Sequence, residues 1–382
     1  MSIFKKTLSC AVLAALGTCA LAGCGRQDTS NEATTSASPE ASPAITETVN
    51  ESTAASEQTP APDAPGTQST ETADVTSTPF GQHGALHVEN GKLTDADGNI
   101  VQLYGMSTHG IAWFPQYINY DSFRTLRDDW NTNCIRLAMY TAEYGGYCAG
   151  GDKEQLKQLV RDGVSYATEL GMYVIVDWHI LSDCDPNQNK DEAIAFFREM
   201  SEAFTDNDNV LYEICNEPNS GTSWDSIKSY AEEVIPVIRE QKPDAVILVG
   251  TPTWSQEIDK AAASPLTFDN VMYTLHFYAG THKDDLRNRL ETCAQNNLPV
   301  FVSEFGMCDA SGNGANDFDS TTKWLDLLNK YQISFCCWNL ANKDESSSVF
   351  KAASTTLSDW TDEDFNESGR WIREYFRSMP RN

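Results

Sequence analysis

The chain contains 382 residues with 55 acidic and 27 basic side chains, which gives a formal net charge of −28 at pH 7. Its length allows two domains, but the first eighty residues hold too few aromatic and branched apolar side chains to supply a core. The acidic balance argues against nucleic acid as a partner, since phosphate binding needs a basic face, whereas a neutral ligand is not repelled.

The extreme N-terminus has the pattern of a bacterial export signal. Lys5 and Lys6 precede an apolar run over residues 7–21 that is short for a membrane span, and small residues then lead to Cys24. An anchor helix that is never cleaved is the alternative. The Leu-Ala-Gly-Cys run ending at Cys24 resembles the lipobox of bacterial lipoproteins. This resemblance implies removal of residues 1–23, lipidation of Cys24, and a secreted protein anchored to the membrane at the bacterial cell surface.

Residues 24–80 are predicted to form a disordered tether. From Gly25 to Pro79 the chain is mostly Ser, Thr, Ala, Pro and Glu, with nine acidic residues against one arginine. Such a segment buries too little apolar surface to offset its chain entropy, and its charge and proline content keep it extended. One large folded domain is therefore expected over residues 81–382, where all nine tryptophans lie.

Short apolar runs then alternate eight times with longer amphipathic segments. The runs predicted as strands are 101–105, 134–139, 173–178, 210–215, 245–250, 271–276, 300–304 and 334–338. The segments predicted as helices include 153–170, 191–204, 224–240, 283–295, 317–331 and 368–377. Repeated βα units indicate an α/β fold, and eight of them favour a closed (β/α)8 TIM barrel. An open doubly wound sheet is the alternative, but no glycine-rich phosphate loop follows the first strand.

Eight cysteines remain once Cys10, Cys19 and the candidate lipid site Cys24 are set aside. None has the Cys-x-x-Cys spacing of a zinc site, and several lie in apolar strands, where a buried thiol is expected. Cys148 and Cys184 occupy predicted loops and are the candidate pair for a disulfide.

Polar residues cluster where the predicted strands end, which in a barrel is where function is built. Glu217 ends the fourth strand and Glu304 the seventh, so the two carboxyl groups are expected to face each other across the barrel mouth. Retaining glycosidases need such a pair about 5 to 5.5 Å apart, one group to attack the anomeric carbon and one to protonate the leaving oxygen. Arg136 and a tyrosine such as Tyr278 are expected to keep one of the two ionised.

Three motifs carry a resemblance to glycoside hydrolase family 5 over residues 85–345. They are Tyr-Glu-Ile-Cys-Asn-Glu-Pro ending at Pro218, Ser-Glu-Phe-Gly ending at Gly306, and the run from Trp338 to Ser348. The last run is similar to bacterial endoglucanases of the family. The resemblance implies that Glu217 is the acid/base, Glu304 the nucleophile and Asn216 the donor to the sugar 2-hydroxyl. It also places Arg136, His179, His276 and Tyr278 around the nucleophile and the cleaved sugar.

Flat apolar side chains are also needed, because the C–H faces of a pyranose pack on aromatic rings. The resemblance implies a set of residues on the non-reducing side of the cut, namely His109, Trp113, Tyr140, Trp338, Lys343 and Glu345. It places Trp254 beyond the cut and adds Ala310 and Ser311 to the substrate-binding set. Phe114 departs from the tyrosine that related enzymes often have, which removes one sugar hydrogen bond and keeps an apolar surface. Trp130, Trp324 and Trp371 lie on predicted helices and are expected in the core.

The sequence thus predicts a monomeric retaining endo-β-1,4-glucanase that needs no cofactor or metal and acts on a β-1,4-linked polysaccharide. A β-mannanase or xyloglucanase of the same family is one alternative, because loops set the substrate on a shared frame. A lipoprotein that binds surface glycans without cutting them is another. A metal-dependent barrel hydrolase is disfavoured, because the histidines are scattered singly.

Overall fold

The computed structural model describes residues 75–380, so the predicted signal peptide, Cys24 and most of the predicted tether lie outside the described residues. The strands are β1 His87–Glu89, β2 Lys92–Thr94, β3 Tyr104–Thr108, β4 Cys134–Tyr140, β5 Tyr173–His179, β6 Val210–Glu213, β7 Ile247–Val249, β8 Val271–Thr274, β9 Phe277–Tyr278, β10 Val300–Gly306 and β11 Phe335–Leu340. The helices are α1 Pro79–His83, α2 Tyr120–Asp128, α3 Lys153–Glu169, α4 Lys190–Ala203, α5 Trp224–Arg239, α6 Pro252–Ser255, α7 Ile258–Ala263, α8 Asp284–Gln295, α9 Phe318–Lys330 and α10 Glu367–Ser378.

The predicted (β/α)8 barrel is confirmed. The parallel strands follow the order β11, β3, β4, β5, β6, β7, β8 and β10, and β11 pairs back to β10 to close the sheet. Between β7 and β10 the position in the barrel is shared by two short strands. The strand β8 pairs with the first part of β10, and β9 pairs with its last part. Seven of the eight strand centres lie within the predicted runs, whereas the first strand begins three residues later than expected and its centre lies beyond its run.

The inside of the barrel changes from apolar to polar along each strand. On β5, Tyr173 and Ile175 belong to an inner apolar cluster that also contains Leu248 and Phe301. Because side chains alternate across a strand, Asp177 and His179 follow on the same face at the carboxyl end. A separate and larger apolar cluster lies between the strands and the surrounding helices. The lower barrel is therefore a packed core, and the upper end supplies polar groups.

An irregularity in β10 places two consecutive side chains inside the barrel. The register of β10 against β11 shifts between Val302 and Phe305, and a bulge of this kind re-aims the side chains within it. Ser303 and Glu304 both make hydrogen bonds to residues of the barrel interior. Regular alternation would have turned one of them away.

A hairpin and a short helix at the N-terminal edge were not predicted. The strands β1 and β2 pair in antiparallel register around Asn90 and Gly91, both with positive φ, as a tight two-residue hairpin turn requires. The α1 helix begins at Pro79, and the Phe80 ring packs edge-on against Tyr173. The packed part of the chain therefore begins before residue 81.

The α2 helix was also missed, although Asn119 caps it by accepting from the Ser122 amide and it buries Phe123 and Leu126. Trp130 and Trp324 are buried, as predicted, whereas Trp371 is half-buried between the rings of Phe318 and Tyr375.

Every cysteine in the described range 75–380 is a free thiol, so the candidate disulfide between Cys148 and Cys184 is not formed. The Cys184 thiol instead lies 3.3 Å from the Ser220 hydroxyl. Across residues 75–380 the longest and most apolar helices are too short or too polar to cross a bilayer.

Candidate active site

A cleft of about 590 Å³ opens at the carboxyl ends of the barrel strands, where a TIM barrel places its active site. Its lining contains most of the predicted site residues, namely His109, Tyr140, His179, Glu217, Trp254, His276, Tyr278, Glu304, Ala310, Ser311, Trp338, Lys343 and Glu345. Four lining residues were not predicted: Leu181, Gln256, His282 and Gly312. Arg136 and Asn216 are fully buried beneath the cleft, where they contact the lining residues.

The two predicted glutamates face each other at the centre of the cleft. Glu217 follows β6 and is 8% exposed, and Glu304 lies on β10 and is 4% exposed. One oxygen of each, together with a nitrogen of His276, lies within 4.8 Å of the others. Two carboxyl groups at this separation can flank the same glycosidic bond, so that one attacks the anomeric carbon while the other protonates the leaving oxygen.

Glu304 is held by one cation and one neutral donor. Arg136 donates from Nη1 to Glu304 Oε2 at 3.2 Å, and Tyr278 donates its hydroxyl to Oε1 at 2.8 Å. Burial, followed by the negative charge of Glu304, raises the pKa of Tyr278 well above its ordinary value. The phenol therefore stays protonated and remains a donor. Both predicted partners are found, and each donates to a different oxygen of Glu304, which fixes the orientation of the carboxyl group.

Glu217 has a different partner. His276 Nδ1 lies 2.9 Å from Glu217 Oε1, and its Nε2 lies 2.9 Å from the Ser303 hydroxyl. Burial acts to lower the pKa of His276, but the hydrogen bonds to Glu213 and Glu217 outweigh it and raise the pKa to about 9. An imidazole so placed can exchange a proton with Glu217.

Two buried carboxylates below the cleft were missed by sequence reasoning. Arg136 donates from Nε to Glu213 Oε2 at 2.8 Å, and its Nη2 lies 2.9 Å from Asp177 Oδ2. Burial acts to raise the pKa of Glu213, but the charges and hydrogen bonds of Arg136 and His276 together outweigh it and lower the pKa to about 2. Burial raises the pKa of Asp177, and the negative charges of Glu213 and Glu304 raise it further. The positive charge of Arg136 acts in the opposite direction. An acidic residue inside an otherwise apolar strand was the available signal for both.

His179 and Asn216 form a second hydrogen-bonded unit. Asp177 Oδ2 lies 2.6 Å from His179 Nδ1, and His179 Nε2 lies 3.2 Å from the Asn216 amide nitrogen. Burial, followed by the charge of Arg136, lowers the pKa of His179 to about 3, so the ring is neutral. Asn216 Oδ1 accepts from Arg136 Nη2 at 2.6 Å. The side-chain amide of Asn216 is thereby fixed in one orientation.

The predicted non-reducing side is an aromatic wall. The ring of His109 lies 5.1 Å from Trp338 and 5.8 Å from Trp113, and Trp113 lies 4.7 Å from Tyr140. Trp113 is 37% exposed and is not among the residues that line the cleft itself. Phe114 packs against His109 at 4.9 Å and joins the core rather than the cleft surface.

Two charged residues complete this side of the cleft. Lys343 Nζ lies 2.6 Å from Glu345 Oε2 and 3.3 Å from His109 Nε2. Burial, followed by the charge of Lys343, lowers the pKa of His109 to about 3. The neutral histidine and the ion pair present fixed donors and acceptors at the position expected for sugar hydroxyls.

The opposite side of the cleft is formed by a strained turn. Thr253, Trp254 and Ser255 all have φ between 53° and 59°, a conformation that non-glycine residues rarely adopt and that concentrates at functional sites. Trp254 donates its backbone N–H to the Pro218 carbonyl at 2.9 Å and leaves its side chain 45% exposed. The turn thus displays an indole ring beside the loop that carries Glu217.

Glu217, His276 and Glu304 are spaced so that they could hold a metal ion. In this structure the same atoms are engaged by Arg136, Tyr278 and each other. A guanidinium 3.2 Å from Glu304 already supplies positive charge there and would repel a cation. The donor set therefore fits acid–base chemistry better than metal binding.

Comparison with known proteins agrees with this geometry. The model of the cellulase family, glycosyl hydrolase family 5, matches residues 94–344. Endoglucanase A of Butyrivibrio fibrisolvens is 51% identical over 293 residues, which is 76% of this chain and 68% of that protein. An endoglucanase of Clostridium saccharobutylicum is 46% identical over 305 residues, 79% of this chain and 66% of that protein. The chain thus spans about two thirds of the length of these relatives.

Among solved structures, the catalytic domain of Thermobifida fusca endoglucanase Cel5A in complex with cellotetraose superposes with a TM-score of 0.75 at 41% identity, covering 79% of this chain and all of that domain. The family model covers more than half of the sequence, and it includes both glutamates and the strands that position them. The chain belongs to the cellulase family, glycosyl hydrolase family 5.

Proposed function

We propose that this chain is a cofactor-free endo-β-1,4-glucanase that hydrolyses internal bonds of cellulose or mixed-linkage glucans with retention of configuration. Glu304 attacks the anomeric carbon while Glu217 protonates the leaving oxygen, and Glu217 then deprotonates the water that releases the sugar from Glu304. The short distance between the pair, with one oxygen of Glu217 and one of Glu304 within 4.8 Å of each other, carries the proposal. Inverting enzymes need roughly 6.5 to 9.5 Å to admit a water between the two groups.

The residues around the pair support distinct roles. Arg136 and Tyr278 donate hydrogen bonds to Glu304, and His276 is hydrogen-bonded only to Glu217 of the two. Asn216 would donate to the 2-hydroxyl of the sugar bound at Glu304. Its amide nitrogen now lies 3.2 Å from both His179 Nε2 and the Ile180 carbonyl, so substrate would replace one of these long contacts.

Endo action is supported by aromatic surfaces on both sides of the pair. Trp113, Tyr140 and Trp338 lie on one side and Trp254 on the other. A chain that packs against both sides is cut internally rather than at an end. The solved relative bound to cellotetraose is a related catalytic domain that holds a β-1,4-linked glucan oligomer.

Cellohexaose hydrolysis followed by proton NMR tests the mechanism. Retention gives β-configured new ends before mutarotation, together with internal cleavage products. Glu304→Gln should abolish hydrolysis, whereas Glu291→Gln should not, because Glu291 lies on the surface in an ion pair with Lys330. New ends that are α-configured, or activity that survives Glu304→Gln, would refute the proposal.

The separate roles can be resolved with an aryl β-cellobioside whose leaving group needs no protonation. Glu217→Ala should then keep the first chemical step and accumulate the glycosyl-enzyme, because only the second step needs its base. Glu304→Gln should show neither step. An equal loss of the first chemical step in Glu217→Ala and Glu304→Gln would contradict the assigned roles.

The backbone of the polymer is a second question, because the family frame supports β-mannanases and xyloglucanases as well. Endoglucanase relatives at 51% and 46% identity favour glucan. Among cellulosic, glucomannan and mannan substrates, the initial rate of hydrolysis should be highest on the cellulosic one. Binding of cellohexaose in calorimetry without new reducing ends would instead identify a surface glycan-binding protein.

We also propose that residues 1–23 are a signal peptide, that Cys24 is lipidated, and that the segment between Cys24 and the first helix at Pro79 tethers a monomeric catalytic domain to the membrane at the cell surface. The lipobox-like run before Cys24 supports this. In a bacterial host, Cys24→Ser should move the enzyme from the membrane fraction to the soluble fraction. Cys19→Ser, within the leader, should leave it on the membrane.

A further inference from the structure

A chain of hydrogen bonds connects the two catalytic glutamates beneath the cleft. It begins at Glu304, which accepts from Arg136, and Arg136 donates from Nε to Glu213 Oε2 at 2.8 Å. Ser303 donates its hydroxyl to Glu213 Oε1 at 2.7 Å. His276 Nε2 lies 2.9 Å from the same hydroxyl, and His276 Nδ1 lies 2.9 Å from Glu217. Glu213 is therefore bonded towards both halves of the catalytic pair.

The donors and acceptors along this chain leave only one arrangement when Glu213 is ionised. A carboxylate has no hydrogen to give, so the single hydrogen of Ser303 points to Glu213. Ser303 can then only accept from His276, which requires a hydrogen on Nε2. The Nδ1 atom is left to share a proton with Glu217, either as acceptor from the acid or as donor to the carboxylate.

We infer that Glu213 is a positioning residue for the acid/base: through Ser303 it holds a hydrogen on His276 Nε2 and so keeps His276 Nδ1 available to Glu217. This inference rests on the proposed role of Glu217. Glu213 itself is fully buried and lines no part of the cleft, so it acts through its partners and does not touch substrate.

The charges around Glu213 set the direction of its effect. The groups that face it are Arg136 on β4, Asp177 on β5, Ser303 and Glu304 on β10, and His276 after β8. Within this set, Glu213 stabilises positive charge on both Arg136 and His276. Arg136 and His276 in turn lower the pKa of Glu213 to about 2 against the effect of burial, so it is ionised wherever the enzyme works.

Neutralising Glu213 should therefore change the titration of His276. His276 loses a neighbouring anion and releases its proton at lower pH, which moves the alkaline limb of the kcat/KM profile downwards. The side-chain amide introduced by Glu213→Gln could also donate to Ser303 and reverse the direction of the hydrogen bonds, so that His276 would carry its hydrogen on Nδ1.

The test combines NMR of the histidine ring with kinetics of Glu213→Gln. In ¹⁵N spectra the native protein should keep the Nε2 hydrogen of His276 and titrate near pH 9, and the variant should titrate at lower pH. On cellotetraose we expect kcat to fall roughly ten- to hundredfold, within the range that general acid catalysis supplies, while KM changes little. On the aryl β-cellobioside, kcat/KM should stay near the native value, because its leaving group needs no acid.

Ser303→Ala gives an independent test should Glu213→Gln fail to fold, because it breaks the connection and leaves the charge pair of Glu213 and Arg136 in place. It should show the same loss on cellotetraose and the same recovery on the aryl substrate. An unchanged His276 titration in either variant, or equal losses on both substrates, would overturn the inference. Failure of the proposed function is distinct from this, since it appears as activity in Glu304→Gln whatever His276 does.

Discussion

Replacing Arg136 by methionine tests how much stability depends on a guanidinium buried among acids. Arg136 is fully buried and lies within 3.2 Å of oxygens of Asp177, Glu213 and Glu304. Methionine has a similar volume but no charge, so the acids lose their counter-charge without a large cavity forming. Removing one partner of a buried ion pair costs roughly 3 to 5 kcal/mol.

The pKa of Glu213 gives an independent figure for the same effect. It falls from 4.5 to about 2 on folding, because burial, which acts to raise it, is outweighed by Arg136 and His276 together. A difference of this size corresponds to roughly 3 kcal/mol. Because the folded pKa is lowered, this stability is present above pH 4.5 and is lost as the pH falls from 4.5 through about 2.

Urea-induced unfolding of Arg136→Met should therefore show a free energy of unfolding roughly 3 to 5 kcal/mol below the native value at pH 7. The difference should shrink as the pH falls below 4.5. Arg124→Met is the matched control, since Arg124 pairs with Asp121 and Asp359 at the surface, where such pairs contribute under about 1 kcal/mol. A loss under about 1 kcal/mol for Arg136→Met, or one independent of pH, would refute the reasoning.

Three further outcomes are expected. Trp254→Ala should raise KM for cellohexaose roughly two- to tenfold with little change in kcat, because an aromatic contact of about 0.5 to 1.5 kcal/mol is lost; an unchanged KM would place Trp254 outside the path of the glucan. Tyr278→Phe should lower kcat/KM roughly ten- to hundredfold through loss of a hydrogen bond to a charged group, and a loss under twofold would show that the hydroxyl is dispensable. Folding raises the pKa of His276 to about 9, so the stability advantage of the native protein over His276→Gln should be full below pH 6.5 and decline as the pH rises through about 9. Thermal unfolding of both proteins across this pH range measures the difference. An advantage that grows with pH would contradict the assignment.

The fold and the catalytic pair could be predicted because each leaves a local pattern in the sequence. Eight apolar runs at regular spacing indicate a barrel, and Glu217 and Glu304 stand where such runs end. The helix α2 escaped prediction because only Phe123 and Leu126 make a clear apolar face in its nine residues. The hairpin β1–β2 is too short for an alternation to be recognised, although Asn90-Gly91 is a turn signal.

The buried residues beneath the cleft were missed, because their role depends on which face of a strand each one occupies. Glu213 and Asp177 lie in apolar strands, and period-two alternation alone places them inside the barrel with Arg136. Ser303 and Glu304 are adjacent in the sequence, and alternation predicts that they point in opposite directions. The bulge in β10 brings both inwards, and no residue type in this segment indicates it.

That bulge explains how one site gives two identical side chains different surroundings. Glu304 meets Arg136 and Tyr278 from one side, and Ser303, its neighbour, meets Glu213 and His276 from the other. A regular strand would have supplied only one of these connections, leaving either the nucleophile without its cation or the histidine of the acid/base without a fixed proton. Because both residues face inwards, the charge of Arg136 reaches Glu304 directly, while Glu217 is tuned through a histidine. The division of labour between the two glutamates thus follows from backbone geometry at two adjacent residues.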